Sequence, residues 1–234
     1  MAKIKENILE SRQSILYVVL GILVFGSIWG LLEATLGGFL NLVIFPNKGA
    51  IMAGIGVVVM ASALAIYKRP SMLIGIGIVA ASFKWFNAWL LFVPLNAIQV
   101  VNPAMAIVFE SLAFGLVAVF LVKRMEKNPL FSVGAGALAG FLAAVAWVYF
   151  AIYVMNAPAY ARVVFTAGGF ISNQAIIQAV FLGIFAPLGY LAGRKLATKT
   201  FPQLTKNMPV YYAGALATIA ICWGVSAVAF VSGL

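Results

Sequence analysis

Seven apolar runs, each close to the length that crosses the hydrocarbon core of a bilayer, take up most of this chain: residues 14–32, 51–67, 71–93, 104–122, 131–155, 169–191 and 210–230. A crossing needs roughly 20 consecutive apolar residues. In lipid the backbone must satisfy its own hydrogen bonds, so runs of this length are helices. The expected fold class is therefore an all-α integral membrane protein, a compact bundle of about seven transmembrane helices forming a single polytopic domain over residues 1–234. A composition of 65% hydrophobic and 9% charged residues leaves too little polar surface for a soluble domain. Turn and charge signals such as Phe45-Pro46-Asn47-Lys48, Lys68-Arg69-Pro70 and Lys127-Asn128-Pro129 separate the runs. The charged opening MAKIKENILESR leads into the first run without a small-residue cleavage site, so no cleavable signal peptide is expected.

One stretch fits less simply. Residues 34–45, with Gly37-Gly38 among them, prolong the first run beyond a single crossing. Two conformations are open: a long tilted helix, or a break near the glycines followed by a short half-helix. The stretch 193–209 reads as the longest connection between spans.

Basic residues set the orientation. With the N-terminus inside, the cytoplasmic side holds Lys3, Lys5, Arg12, Lys68, Arg69, Lys123, Arg124, Lys127, Arg194, Lys195, Lys199 and Lys206. The opposite side holds Lys48 and Arg162, and Lys84 lies within a span. This asymmetry predicts a cytoplasmic N-terminus, an outer C-terminus and residence in the cell's cytoplasmic (inner) membrane as a multi-pass protein. The net charge of +10 is spent on these clusters, so no nucleic-acid partner is expected.

Several chemistries are excluded by residue type. The chain has no His and no Asp, and Cys222 is its one cysteine. No disulfide within the chain, no multi-thiolate or His-based metal site, no His-based triad and no aspartyl dyad is possible. No metal, no cofactor and no catalytic residue is predicted.

Ionisable side chains inside spans are costly and by default mark a functional site. There are three, Glu33, Lys84 and Glu110, and all fall in the outer half of the bilayer in the predicted orientation. A lysine between two carboxylates neutralises one and leaves one negative charge over. Amides follow the same bias: Asn87, Asn96, Gln99 and Asn102 surround the third outer turn, and Asn173, Gln174 and Gln178 occupy the outer half of the sixth span. Trp85 adjoins Lys84. The inner halves are almost entirely apolar, so the pattern predicts a pocket opening outward rather than a channel lined along its length. Amides, an aromatic face and a spare carboxylate suit a small, partly aromatic, neutral or cationic solute. The predicted substrate-binding residues are Glu110, Lys84, Trp85, Asn87, Asn173, Gln174, Gln178 and Glu33. Glu110 or Glu33 would pair a cationic group, Lys84 would orient that carboxylate, the amides would read polar edges and Trp85 would stack. The alternative is purely structural: an ion pair and interhelical amide contacts that tie helices together.

Gly26-x-x-x-Gly30 in the first span and Gly136-x-x-x-Gly140 in the fifth allow close helix approach, either within the chain or against a partner membrane subunit. A compact, glycine-rich, basic bundle with an outward pocket and an apolar inner half resembles the substrate-binding S components of energy-coupling factor (ECF) vitamin transporters. The resemblance covers residues 14–192, a six-helix core. That family carries Ala-x-x-x-Ala in its first helix where this chain has Gly26-x-x-x-Gly30, and residues 210–230 add a seventh span to its usual six. The resemblance implies uptake of a vitamin-like or heteroaromatic solute, together with a scaffold membrane subunit and cytoplasmic ATPases as partners. No nucleotide-binding motif is present in the chain, so an ATP-driven step would belong to those partners. Two other functions remain open: a structural or assembly subunit of a larger membrane complex, and a membrane-embedded lipid-modifying enzyme running on Glu33 and Glu110. A proton-coupled carrier using Glu110 is a third.

Overall fold

The computed structural model describes residues 2–233, and among these it is all-helical. The side chains of Lys3, Lys5 and Arg12, which enter the charge asymmetry above, lie outside the described residues. The long helices are α1 (Ala2–Leu42), α2 (Lys48–Tyr67), α3 (Met72–Leu90), α4 (Ile98–Lys127), α5 (Phe131–Tyr153), α7 (Ile176–Lys199) and α9 (Met208–Val231). Two short helices, α6 (Pro158–Val163) and α8 (Phe201–Thr205), lie in connections, and a π-helical turn (Phe170–Ala175) runs directly into α7. Seven helices are long and apolar enough to cross a membrane, one for each apolar run.

The differences from expectation have local causes. The long-helix option holds for residues 34–45: α1 passes through Gly37-Gly38 and ends at Leu42, before Ile44 takes a left-handed backbone. Helix α4 begins at Ile98, ahead of the apolar run that starts at 104, with Pro103 inside it. Pro103 stands in the second turn, so the helix continues there at the cost of one backbone hydrogen bond, the one to the Gln99 carbonyl. The stretch 193–209 is largely helical rather than a loop. Helix α7 continues to Lys199 with Arg194, Lys195 and Lys199 exposed, and α8 fills most of the remainder.

Helix α2 is the most enclosed of the seven. It packs along α7 and also meets α1, α4 and α3, while α1–α3, α3–α4, α4–α5 and α5–α7 contacts form an arc whose two ends, α1 and α7, are bridged by α2. Helix α9 lies against α1 and α3. Trp223 fixes it there: its ring sits 4.2 Å from that of Phe83, and its Nε1 donates to Ser27 Oγ at 3.2 Å.

Both glycine pairs are used inside the chain. A Cβ at Gly26 would lie 2.9 Å from the Ile76 carbonyl oxygen, and one at Gly30 would enter the Phe83 ring, so both serve the α1–α3 seam. At Gly140 a Cβ would lie 2.8 Å from the Gln178 carbonyl oxygen, and one at Gly136 would meet Ala186 at 2.7 Å, in the α5–α7 seam. The α2–α7 seam is built the same way, with Gly189 on the Val58 backbone and Gly193 on Ser62. Ser62 Oγ crosses it to donate to the Gly189 carbonyl at 2.9 Å.

At one end of the bundle Tyr17, Tyr67, Phe201 and Tyr211 form an aromatic cluster, with the Tyr67 and Tyr211 hydroxyls 3.1 Å apart. Lys68 pairs with Glu126 at this end at 3.4 Å. The opposite end holds the cavity.

Candidate functional site

Consecutive helices run in alternate directions, so the C-terminal halves of α1, α3 and α5 meet the N-terminal halves of α2, α4 and α7. A cavity of about 820 Å³ opens among them. It is a size suited to a small organic molecule. From α1 come Glu33 and Gly37, from α3 Lys84 and Asn87, from α4 Gln99, Asn102 and Glu110, from α5 Trp147, and from the π-helical turn and α7 Phe170, Gln174 and Gln178. All of these residues are drawn from the end that holds the loops 43–47, 91–97 and 154–169.

The charges are divided unequally. Lys84 Nζ lies 3.2 Å from Glu33 Oε2 and also donates to the Glu33 carbonyl oxygen at 3.2 Å. Glu110 is 6% exposed and forms no ion pair among the described residues. Its contact is with an amide: Gln178 Nε2 donates to Glu110 Oε1 at 3.3 Å, from α7 to α4. Burying a carboxylate with one neutral donor is expensive unless a further cation or donor completes its shell. The cavity supplies the room for one.

Asn87 carries the complementary deficit. It is 1% exposed; its Oδ1 accepts from Ser226 Oγ of α9 at 3.4 Å, and its Nδ2 has no partner among the described residues. A buried donor without an acceptor costs about 1–3 kcal/mol.

The aromatic wall is built from α5 and the segment that follows it. Trp147 Nε1 donates to Asn102 Oδ1 at 2.9 Å. The Trp147 ring stacks on Phe170 at 5.4 Å, and Tyr160 of α6 meets both edge-on. In α4, Pro103 has no N–H to offer the Gln99 carbonyl one turn earlier, and both residues line the cavity. The π-helical turn, which widens the helix by one residue, falls where Phe170 and Gln174 line it. Such turns recur at functional sites.

Of the predicted residues, Glu33, Lys84, Asn87, Glu110, Gln174 and Gln178 line one cavity. Trp85 does not; it is half-buried against the main apolar core. Asn173 is exposed and also lies outside the cavity lining. The tryptophan that does line it is Trp147, with Phe170 beside it. The polar cluster around Asn102 was the available signal, because a buried amide oxygen calls for a donor and an indole N–H on the next helix can supply one. Among the described residues no group of three or more potential metal ligands occurs.

No protein-family model, no curated protein and no solved structure matches this chain.

Proposed function

We propose that this chain is a multi-pass membrane protein that binds a small organic solute in a pocket in the outer half of the bilayer, as the solute-binding subunit of an uptake system. One observation carries the reading. Glu110 is buried at the wall of a cavity of about 820 Å³ with, among the described residues, one neutral hydrogen-bond donor and no ion pair, while Lys84 is committed to Glu33 and Lys48 stands at the cavity's rim, at the start of α2. A site built this way favours a neutral or cationic solute whose N–H groups complete the Glu110 shell. The unpartnered Nδ2 of Asn87 favours an acceptor on the same solute, and the Trp147–Phe170 wall favours a flat ring, as in a vitamin-like or heteroaromatic molecule.

The orientation follows the charge pattern. Lys68, Arg69, Lys123, Arg124, Lys127, Arg194, Lys195, Lys199 and Lys206 all belong to the end remote from the cavity. Placing that end in the cytoplasm turns the cavity outward, the C-terminus outward and the N-terminus inward, in the cytoplasmic membrane. The lopsided polarity, with a cavity at one end and apolar packing at the other, supports a capture subunit that hands its solute to partner proteins. A scaffold membrane subunit with cytoplasmic ATPases, as in ECF transporters, is the partnership this reading implies. With Gly26 and Gly30 occupied by α3, docking of such a scaffold would use another face.

The test is gentle purification from native membranes followed by mass spectrometry of everything retained. A bound heteroaromatic or amine-bearing solute, or a scaffold protein with ATPases, supports the proposal. A stoichiometric complex with neither refutes it and favours a structural subunit.

A further inference from the structure

A second concavity, of about 550 Å³, lies on the outer surface of the helix layer whose inner surface lines the first. It shares no residue with the cavity of Glu110. Its floor is Gly115 and Ala113 of α4; its walls are Leu112, Leu116 and Val119 of α4 and Leu142 of α5. The groove exists because small residues stand where neighbours carry bulk. A Cβ at Gly115 would meet Ile74 only at 3.5 Å, and Ala146, exposed on α5, leaves the far wall low.

We infer that this groove holds one acyl chain of an anionic glycerophospholipid of the leaflet at the basic end, with its headgroup at Lys123 and Ser71. The length argues for a lipid chain. From Phe109 to Val119 the groove follows ten residues of α4, about 15 Å at 1.5 Å per residue. That is one leaflet's share of a hydrocarbon core about 30 Å thick. A partner transmembrane helix would need a matching face along the full span, and on α4 this groove ends at Phe109, eleven residues short of the helix start.

The charge argues for an anionic headgroup. Lys123 stands one helical turn beyond Val119 on the same face of α4, is exposed, and makes no ion pair or hydrogen bond among the described residues. Ser71, at the groove's end, is exposed with its hydroxyl likewise without a partner among the described residues. Arg124 and Lys127 follow on α4, and the neighbouring Lys68 is held by Glu126. Basic side chains beside a groove at the cytoplasmic surface are a lipid-headgroup arrangement.

The experiment uses the full-length protein in nanodiscs of equal phosphatidylglycerol and phosphatidylcholine, followed by release into detergent and native mass spectrometry. Wild type is expected to retain phosphatidylglycerol at least about fivefold over phosphatidylcholine, the preference one basic side chain confers at a surface. K123Q is expected to lose most of that preference with unchanged melting temperature, and A146F, which fills the groove, to lose retained lipid of both kinds. Equal retention of the two lipids by wild type, or an undiminished preference in K123Q, overturns the inference. An A146C variant that forms a disulfide-linked dimer also overturns it, by showing a second copy seated on this face. Should A146F not fold, K123Q, at an exposed position outside the packing, decides alone.

Discussion

Lys84 is held twice by one residue. Its ammonium contacts both the side-chain carboxylate and the backbone carbonyl of Glu33, each at 3.2 Å. The pair joins α3 to α1 beside the seam where Gly26 and Gly30 bring the two helices together. This makes Glu33–Lys84 a helix staple and leaves Glu110 as the cavity carboxylate that forms no ion pair among the described residues. Replacing Lys84 alone strands a buried carboxylate, so K84M is expected to cost about 3 kcal/mol of stability. E33Q/K84M, which removes both charges, should recover most of the loss. Thermal melting in detergent checks this; a double variant no more stable than the single one would contradict the staple.

Glu110→Gln keeps the shape and removes the charge. It is expected to weaken solute binding about thirtyfold, the contribution of a charge-assisted hydrogen bond. Its melting temperature without solute should be equal to or above that of wild type, because a lone buried carboxylate opposes folding. Isothermal titration with the solute recovered from native membranes, paired with a melting curve, separates the two effects. Full affinity in E110Q would move the recognition elsewhere.

The two tryptophans near the polar residues give an optical test. Solute entering the cavity should change tryptophan emission through Trp147, which lines it, and not through Trp85, which packs against the core. W147F is expected to abolish the change, and W147L, which removes the ring, to lower affinity about fivefold, the scale of one aromatic stack. W85F should keep both. A signal that follows Trp85 would restore it to the site.

The glycines divide by what surrounds them. Gly189 lies on the Val58 backbone, whereas a Cβ placed at Gly134 would have nothing within 4 Å. G189A must push α7 from α2 and is expected to cost about 1–3 kcal/mol. G134A, on the open face of α5, should be neutral or gain up to about 1 kcal/mol from helix propensity. Melting curves of the two variants, side by side, test whether close backbone contact or glycine content is what matters.

How much of this was legible in the sequence varies by level. The spans were, because hydrocarbon thickness sets their length and the chain's turn residues mark their ends. The grouping of Glu33, Lys84 and Glu110 at one depth was also legible, since each sits at a countable distance from a span end. The pairing was not: depth places three charges in one layer, and only helix azimuth decides that Lys84 meets Glu33. Trp85 and Trp147 show the same gap. Helices apolar on every side carry no moment to say which face turns inward, so adjacency to Lys84 favoured Trp85, while rotation of α3 directs it to the core. Pro103 hid the start of α4, because a proline among amides reads as a turn.

The α2–α7 contact has a mechanical consequence. Where two backbones touch through Gly189 and Gly193 and are pinned by the Ser62 hydroxyl, there is no side-chain layer left to deform. The pair is a stiff spine that starts at the basic end and reaches the cavity at Met52 and Ala53 of α2 and Gln178 of α7. At the cavity end the contact among Trp147, Phe170 and Tyr160 is made by rings, which can turn about their own side-chain bonds.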